Sequence, residues 1–229
     1  MPEKRTSFMP HSKLIADLEA AFEAHDDSSD NSHDINHARR VMRSALEIAA
    51  GEGGGNQRVI IAAAYLHDWI NLPKNHPDRA RASALSAEAA RPILKSLGFD
   101  EAEREAACHA IVAHSFSAGI TPETLEAKAL QDADRLEALG AIGLARTFAI
   151  SGQLGSSLFD GEDPFAVNRP LDDKRYSVDH FEVKLLRLPE TMQTSMGRQL
   201  ADRRADVLRR FLADLAEELG AALPQGARG

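Results

Sequence analysis

The chain reads as an all-α protein, and three features of its composition and patterning say so. Alanine and leucine fill most apolar positions, and both favour helix. Aromatic residues, which favour sheet, make up only 5% of the chain. Apolar residues recur at three- and four-residue spacing through most of the 229 positions, the period of a helix with one buried face.

The elements follow in order. Residues 12–25 make a short first helix. The polar run DDSSDNSHD resets the chain, and Ser32 or Asp34 caps a second helix that reaches about Ala50. GEGGGNQ breaks the pattern. Arg58–Trp69 is apolar enough for a buried strand, but Ala62-Ala63-Ala64 and its length favour a buried helix. Pro73, Asn75 and Pro77 mark an irregular loop. Arg79–Leu97 is helical and stops at Gly98, the glycine past the cap. Asp100 caps a helix that carries His109 and His114. Pro122 suits the first turn of the next helix, with Thr121 as its cap. The pattern runs on through LQDADRLEALGAIGLARTF, with a break near Asp132. Ser151–Asp173 is rich in Gly, Pro and Asp and is long for a plain connection, so it reads as a functional loop or lid.

Two helices close the chain, Asp179–Leu188 and Glu190–Leu219. The last carries a stripe of Leu200, Val207, Leu208, Phe211, Leu212 and Leu215. That stripe packs on its own bundle or, alternatively, joins two subunits in a homodimer. No composition shift marks a domain boundary. The reading is one domain of eight or nine helices: an N-terminal region 1–25, a core 26–150, a polar loop with C-terminal helices 151–220, and a tail 221–229.

Charge and cysteine content narrow the function. The formal net charge is −8, which argues against a duplex nucleic-acid binder. Cys108 is the one cysteine, so no intramolecular disulfide forms, and a reducing, cytoplasmic setting fits. It reads as a small core residue. No apolar run approaches the roughly 20 residues of a membrane span, and no apolar leader follows the N-terminus.

The chemistry sits in a short series: His37, then His67-Asp68, then Asp134. Two imidazoles and two carboxylates suit a hard or borderline divalent cation with open positions. Such an ion makes a nucleophile from water and neutralises phosphate oxygens. Spacing leaves alternatives. His33 lies one helical turn before His37. Asp132 and Asp134 would point about 200° apart on a helix, so only one faces a given ion. Asp134 could also be an N-cap, with Glu137 closing a capping box.

Taken in order, SHDINHARRV, AAAYLHDWI and QDADRLEALGAIG resemble the HD superfamily of metal-dependent phosphohydrolases, in a stand-alone bacterial subfamily. CHAIVAHSFS, LFDGEDPF, RPLDDKRY and HFEVKLLRLPETMQT extend the resemblance over roughly residues 30–215. The resemblance implies an HD-type helical bundle with ligands from several helices around one cleft. It implies His37, His67, Asp68 and Asp134 as the metal ligands, choosing His37 over His33 and Asp134 over Asp132. Some members carry further histidines and bind two or three metals. His76, His109 and His114 are the candidates here; His109 and His114, five residues apart, do not share a face, so only one should reach the cleft, and His114 is favoured. The Gly-Tyr-Pro motif of the members that cleave cyclic di-GMP is not matched.

The expected reaction is hydrolysis of a phosphate ester or phosphoanhydride, with a nucleotide as substrate and Mn²⁺, Mg²⁺, Co²⁺ or Ni²⁺ as cofactor. Asp68 would be both ligand and orienter of the water, with His114 beside it. Lys74 is the first candidate to spread transition-state charge. Arg40, three residues past His37, shares its face, and Lys174 and Arg175 would close over phosphates. Tyr65 and Trp69 flank the His-Asp step and either stack on a base or belong to the core. Two other readings stand beside this one: a catalytically weak, metal-binding regulatory module, and an oxidative enzyme with two irons.

Overall fold

The computed structural model describes residues 11–25, 34–72, 76, 78–115 and 118–223. Ser32, His33, Pro73, Lys74, Asn75, Pro77 and the last residues of the tail lie outside them. Among the described residues there are nine α-helices and no strand, only an isolated bridge between Ser157 and Tyr176. No described helix is long and apolar enough to cross a membrane. The chain divides into two compact units, Met1–Ala133 and Asp134–Gly229.

The first unit holds α1 (Ser12–His25), α2 (Ile35–Gly51), α3 (Gln57–Leu66), α4 (Ala82–Ser96), α5 (Glu101–His114) and most of α6 (Leu125–Leu136). Its axis is α3, buried at every position from Val59 to Leu66. A helix apolar on all sides must be covered on all sides, and α1, α2, α4 and α5 pack around it. Asn56 starts it by accepting from the Arg58 and Val59 N–H groups. Asp34 starts α2 by accepting from His37 N at 2.8 Å. Asp100 and Glu103 form a capping box on α5.

Several boundaries differ from the sequence expectation. The segment expected as helix Arg79–Leu97 is a 3₁₀ turn, Arg79–Arg81, leading into α4. Gly98 then follows α4 with φ +73°, the left-handed conformation a glycine takes there at no steric cost. The helix expected at Pro122 starts at Leu125, and its cap is Thr124, which accepts from Ala127 N at 3.2 Å, not Thr121. The break expected near Asp132 falls at residues 137–139, where N–H groups bond back three residues to Asp134, Arg135 and Leu136. Asp132 itself is fully buried inside α6.

The second unit holds α7 (Gly140–Leu154), α8 (Asp179–Val183) and α9 (Ser195–Leu219). The expected helix Asp179–Leu188 is only α8, followed by a 3₁₀ turn at Leu185–Thr191 that accommodates Pro189. The expected start of the last helix at Glu190 moves to Ser195, because the Thr194 hydroxyl supplies the cap by accepting from Gly197 N at 2.9 Å. The apolar stripe of α9 packs against α7, with Leu200, Leu208 and Leu212 buried. Phe148, Phe181 and Phe211 pack as a ring cluster with centroids 5.5–6.1 Å apart.

Two glycines of α7 have opposite surroundings. A Cβ on Gly143 would overlap the carbonyl group of Ala138, which is backbone and cannot swing aside. A Cβ on Gly152 would meet nothing within 4 Å. Gly143→Ala should therefore lower stability by about 1–3 kcal/mol. Gly152→Ala should raise it by up to about 1 kcal/mol. Thermal unfolding of both variants checks this; equal shifts would contradict the packing described.

Candidate metal centre

Three helix ends bring three imidazoles together in the first unit. His37 lies in the first turn of α2, where the Asp34 cap fixes its backbone. His67 is the C-cap of α3, and Asp68 follows it in the turn. His114 is the last residue of α5. His37, His67 and His114 are 2%, 2% and 7% exposed, while the Asp68 side chain is 27% exposed.

The ring nitrogens face the same carboxylate. His37 Nε2 and His67 Nε2 lie 3.2 Å apart. Asp68 Oδ2 lies 3.3 Å from His67 Nε2 and 3.9 Å from His37 Nε2. Asp68 Oδ1 lies 3.6 Å from His114 Nε2. Two donors that each stand about 2.1 Å from one ion are themselves about 3.0–3.4 Å apart. These spacings therefore suit donors that share a cation, and His67, Asp68 and His114 form a group able to hold one.

The opposite ring nitrogens decide the tautomers. His67 Nδ1 lies 2.9 Å from Ala64 O, and His114 Nδ1 lies 2.6 Å from Ile111 O. A carbonyl only accepts, so each Nδ1 carries a hydrogen and leaves Nε2 as the nitrogen that can face a cation. Helix polarity works in the same direction. The C-terminal ends of α3 and α5, where partial negative charge accumulates, both stop here. Burial alone would raise the Asp68 pKa. The charge and hydrogen bond of His67 and the hydrogen bond of His114 outweigh it and hold the carboxyl well below the usual range.

The turn carrying Asp68 is tied down on both sides. Ser86 Oγ accepts from Ile70 N at 2.9 Å, and Arg79 donates to Asn71 Oδ1 and Leu72 O. His25 Nε2 donates to Trp69 O at 3.0 Å. Ser86, Arg79 and His25 were not picked out from the sequence. Their partners lie 7 to 44 positions away, so no local pattern marks them.

Of the additional histidines, only His114 joins the group. His109 Nε2 instead accepts from Glu123 N at 3.0 Å, and His76 Nδ1 accepts from Asp78 N at 3.1 Å. Tyr65 is a core residue, with its hydroxyl donating to Glu19. Trp69 stacks on His25 with centroids 4.1 Å apart. Cys108 is buried, and burial pushes its thiol pKa up, as fits an inert core residue.

Residues 34–139 match the HD domain family. YpgQ of Bacillus subtilis (strain 168) is 32% identical over 191 residues, covering 82% of this chain and 84% of that protein. The chain belongs to the HD superfamily. A solved HD-superfamily hydrolase from Bacillus thuringiensis is similar at TM-score 0.71 and 31% identity, covering 92% of this chain and 98% of that one. The crystal structure of Bacillus subtilis YpgQ in complex with ADP is similar at TM-score 0.70 and 28% identity, covering 92% and 97%.

The remaining candidates of this HD protein are placed as follows. Asp134 sits on α6, half-buried, one turn past Leu130 and Gln131. The helix is docked where Gln131 Nε2 donates to Ala113 O at 2.7 Å, beside His114. Arg40 is half-buried on α2 and acts electrostatically on Asp34. Lys74 lies outside the described residues. Lys174 and Arg175 are exposed on the loop before α8, and the Arg175 guanidinium lies 5.0 Å from the Tyr176 ring centre.

That loop yields a pH-dependent expectation. The Tyr176 hydroxyl donates to Asp160 at 2.6 Å and, with the N–H groups of Asp163 and Glu162, pushes the carboxyl pKa from 3.8 down to about 2. A depressed pKa stabilises the fold fully above the unfolded value, and the contribution is lost as pH falls toward the folded one. Tyr176→Phe should therefore lose less stability than the wild type between pH of about 4 and about 2. Urea unfolding across that interval measures it, and parallel losses in the two proteins would be the contrary result.

Proposed function

We propose that this protein is a metal-dependent phosphohydrolase that cleaves a phosphate ester or phosphoanhydride of a nucleotide. The observation that carries this reading is the convergence of His37, His67 and His114 Nε2 on the carboxylate of Asp68. His37, His67 and Asp68 would hold a divalent ion, with Asp134 on α6 completing the set; the ion would be Mn²⁺, Mg²⁺, Co²⁺ or Ni²⁺. When bound, such an ion supplies a water of lowered pKa and positive charge for phosphate oxygens.

The side chains supply the rest. Asp68 is ionised and the most exposed member of the group, so it can accept a hydrogen bond from the attacking water and aim its oxygen at phosphorus. A phosphorus–oxygen bond to water then forms as the bond to the leaving oxygen breaks. His114 offers Nε2 beside the same carboxylate to take the proton released. Lys74, Arg40, Lys174 and Arg175 are the proposed cations for the phosphate oxygens. The nucleotide part of the reading is supported by the ADP complex of the similar YpgQ structure.

The test uses metal-stripped protein reloaded with each of the four ions and offered nucleoside mono-, di- and triphosphates. Hydrolysis should appear with at least one ion. His67→Ala and Asp68→Ala should each lower kcat/KM by more than the roughly 10–100-fold that losing a ligand's supporting residue costs. Release of pyrophosphate or of orthophosphate assigns the bond cleaved. No turnover with any ion, or variants as active as the wild type, would remove the enzyme reading.

A further inference from the structure

Helix α1 precedes the residues 34–139 that match the HD domain family, yet it meets the scaffold of the metal centre at three points. Two of them are at Glu19. Its Oε1 accepts from Arg39 Nε at 2.7 Å and from the Tyr65 hydroxyl at 2.8 Å. Arg39 stands two residues past His37 on α2, and Tyr65 stands two residues before His67 on α3. Two residues turn a helical side chain by about 200°. Glu19 therefore lies behind both histidines and not among them. The third point is His25, whose ring stacks on Trp69 at 4.1 Å and donates to the Trp69 carbonyl. Trp69 directly follows Asp68.

The bonds at Glu19 are of a kind that fixes position. Both donors share one carboxylate oxygen, and charge-assisted bonds of this type are shorter and stronger than neutral ones. The Arg39 hydrogen bond holds the Glu19 carboxyl below its ordinary pKa, while burial and then Glu19 push the Tyr65 phenol up. At neutral pH the trio is thus an ion pair with a neutral phenol. Tyr65 is 1% exposed, so its ring has no other place to go. The apolar docking of α1 is a separate matter and rests on Leu18, which is fully buried.

We infer that Glu19 is a positioning residue of the metal centre: through Arg39 and Tyr65 it holds α2 and α3 at the spacing at which His37 and His67 grip one ion. This rests on the metal-dependent reading above. Its consequence is that metal affinity depends on an N-terminal helix that contributes no ligand.

The test measures Mn²⁺ binding to metal-stripped protein by titration calorimetry and by the fluorescence of Trp69, the one tryptophan of the chain. It compares wild type, Glu19→Ala, Glu19→Gln, Tyr65→Phe and Leu18→Ala at a temperature where circular dichroism shows every variant folded. Glu19→Ala should weaken Mn²⁺ binding by about 10–100-fold, the range for residues that orient ligands. Glu19→Gln keeps an acceptor oxygen without its charge and should fall between it and the wild type. Leu18→Ala should lower the Tm while the folded protein keeps its Mn²⁺ affinity.

If the wild type binds Mn²⁺ and Glu19→Ala binds it equally well, the positioning role fails and the proposed function stands. The role also fails if Leu18→Ala weakens binding as much as Glu19→Ala does. If the wild type binds none of Mn²⁺, Mg²⁺, Co²⁺ or Ni²⁺, both the role and the function fail. Should Glu19→Ala not fold, unchanged affinity in both Glu19→Gln and Tyr65→Phe is the overturning result.

Discussion

Three ring nitrogens, one each from the buried His37, His67 and His114, crowd the carboxylate of Asp68. Lone pairs at such spacing repel unless positive charge stands among them. A single proton can satisfy one pair, such as His37 with His67, and leaves the others facing one another. A divalent ion would stand among several of them at once. The helix ends increase the demand for positive charge, since α3 and α5 both aim their carbonyl ends at this place.

The same backbone feature that ends these helices also sets the tautomers. The last carbonyls of a helix have no partner further along the chain. His67 answers Ala64 O, and His114 answers Ile111 O, each reaching back three residues with Nδ1. Each ring thereby caps its own helix and presents the other nitrogen inward. A lysine could cap those carbonyls too, but it would bring a positive charge and no lone pair. Helix termination and the inward presentation of Nε2 are thus one interaction made twice.

What the sequence reveals is what it encodes locally. His37, His67 and Asp68 stand in short recognisable contexts, and helical face spacing separates His109 from His114. Asp34 and Asp100 act as the caps expected of them. Local patterns fail where two similar residues compete or where a partner is distant. Thr121 and Thr124 are capping residues of the same type, and it is the second whose hydroxyl accepts from Ala127 N. Spacing cannot rank Asp132 against Asp134. Glu19 looks like any acidic residue of an amphipathic helix, because its partners are 20 and 46 positions away.

The loop between α7 and α8 shows how little charge type says without its partners. By composition it offers cations for phosphate and carboxylates for metal. Arg169, however, is already spent on Asp179 through two bonds of 2.6 and 2.8 Å, and it lies over the Tyr176 ring. Asp179 is almost fully buried, so pulling Arg169 away would strand an uncompensated charge in the interior. Asp160 and Asp163 accept from the loop's own N–H groups, including those of Glu162, Val167 and Asn168. These groups hold the loop in shape, and a ligand could recruit them only by unmaking it. Lys174 and Arg175 differ in that their side chains stay exposed on that ordered frame. Any anion recognition by this segment therefore falls to those two side chains, because its third cation, Arg169, is committed to Asp179.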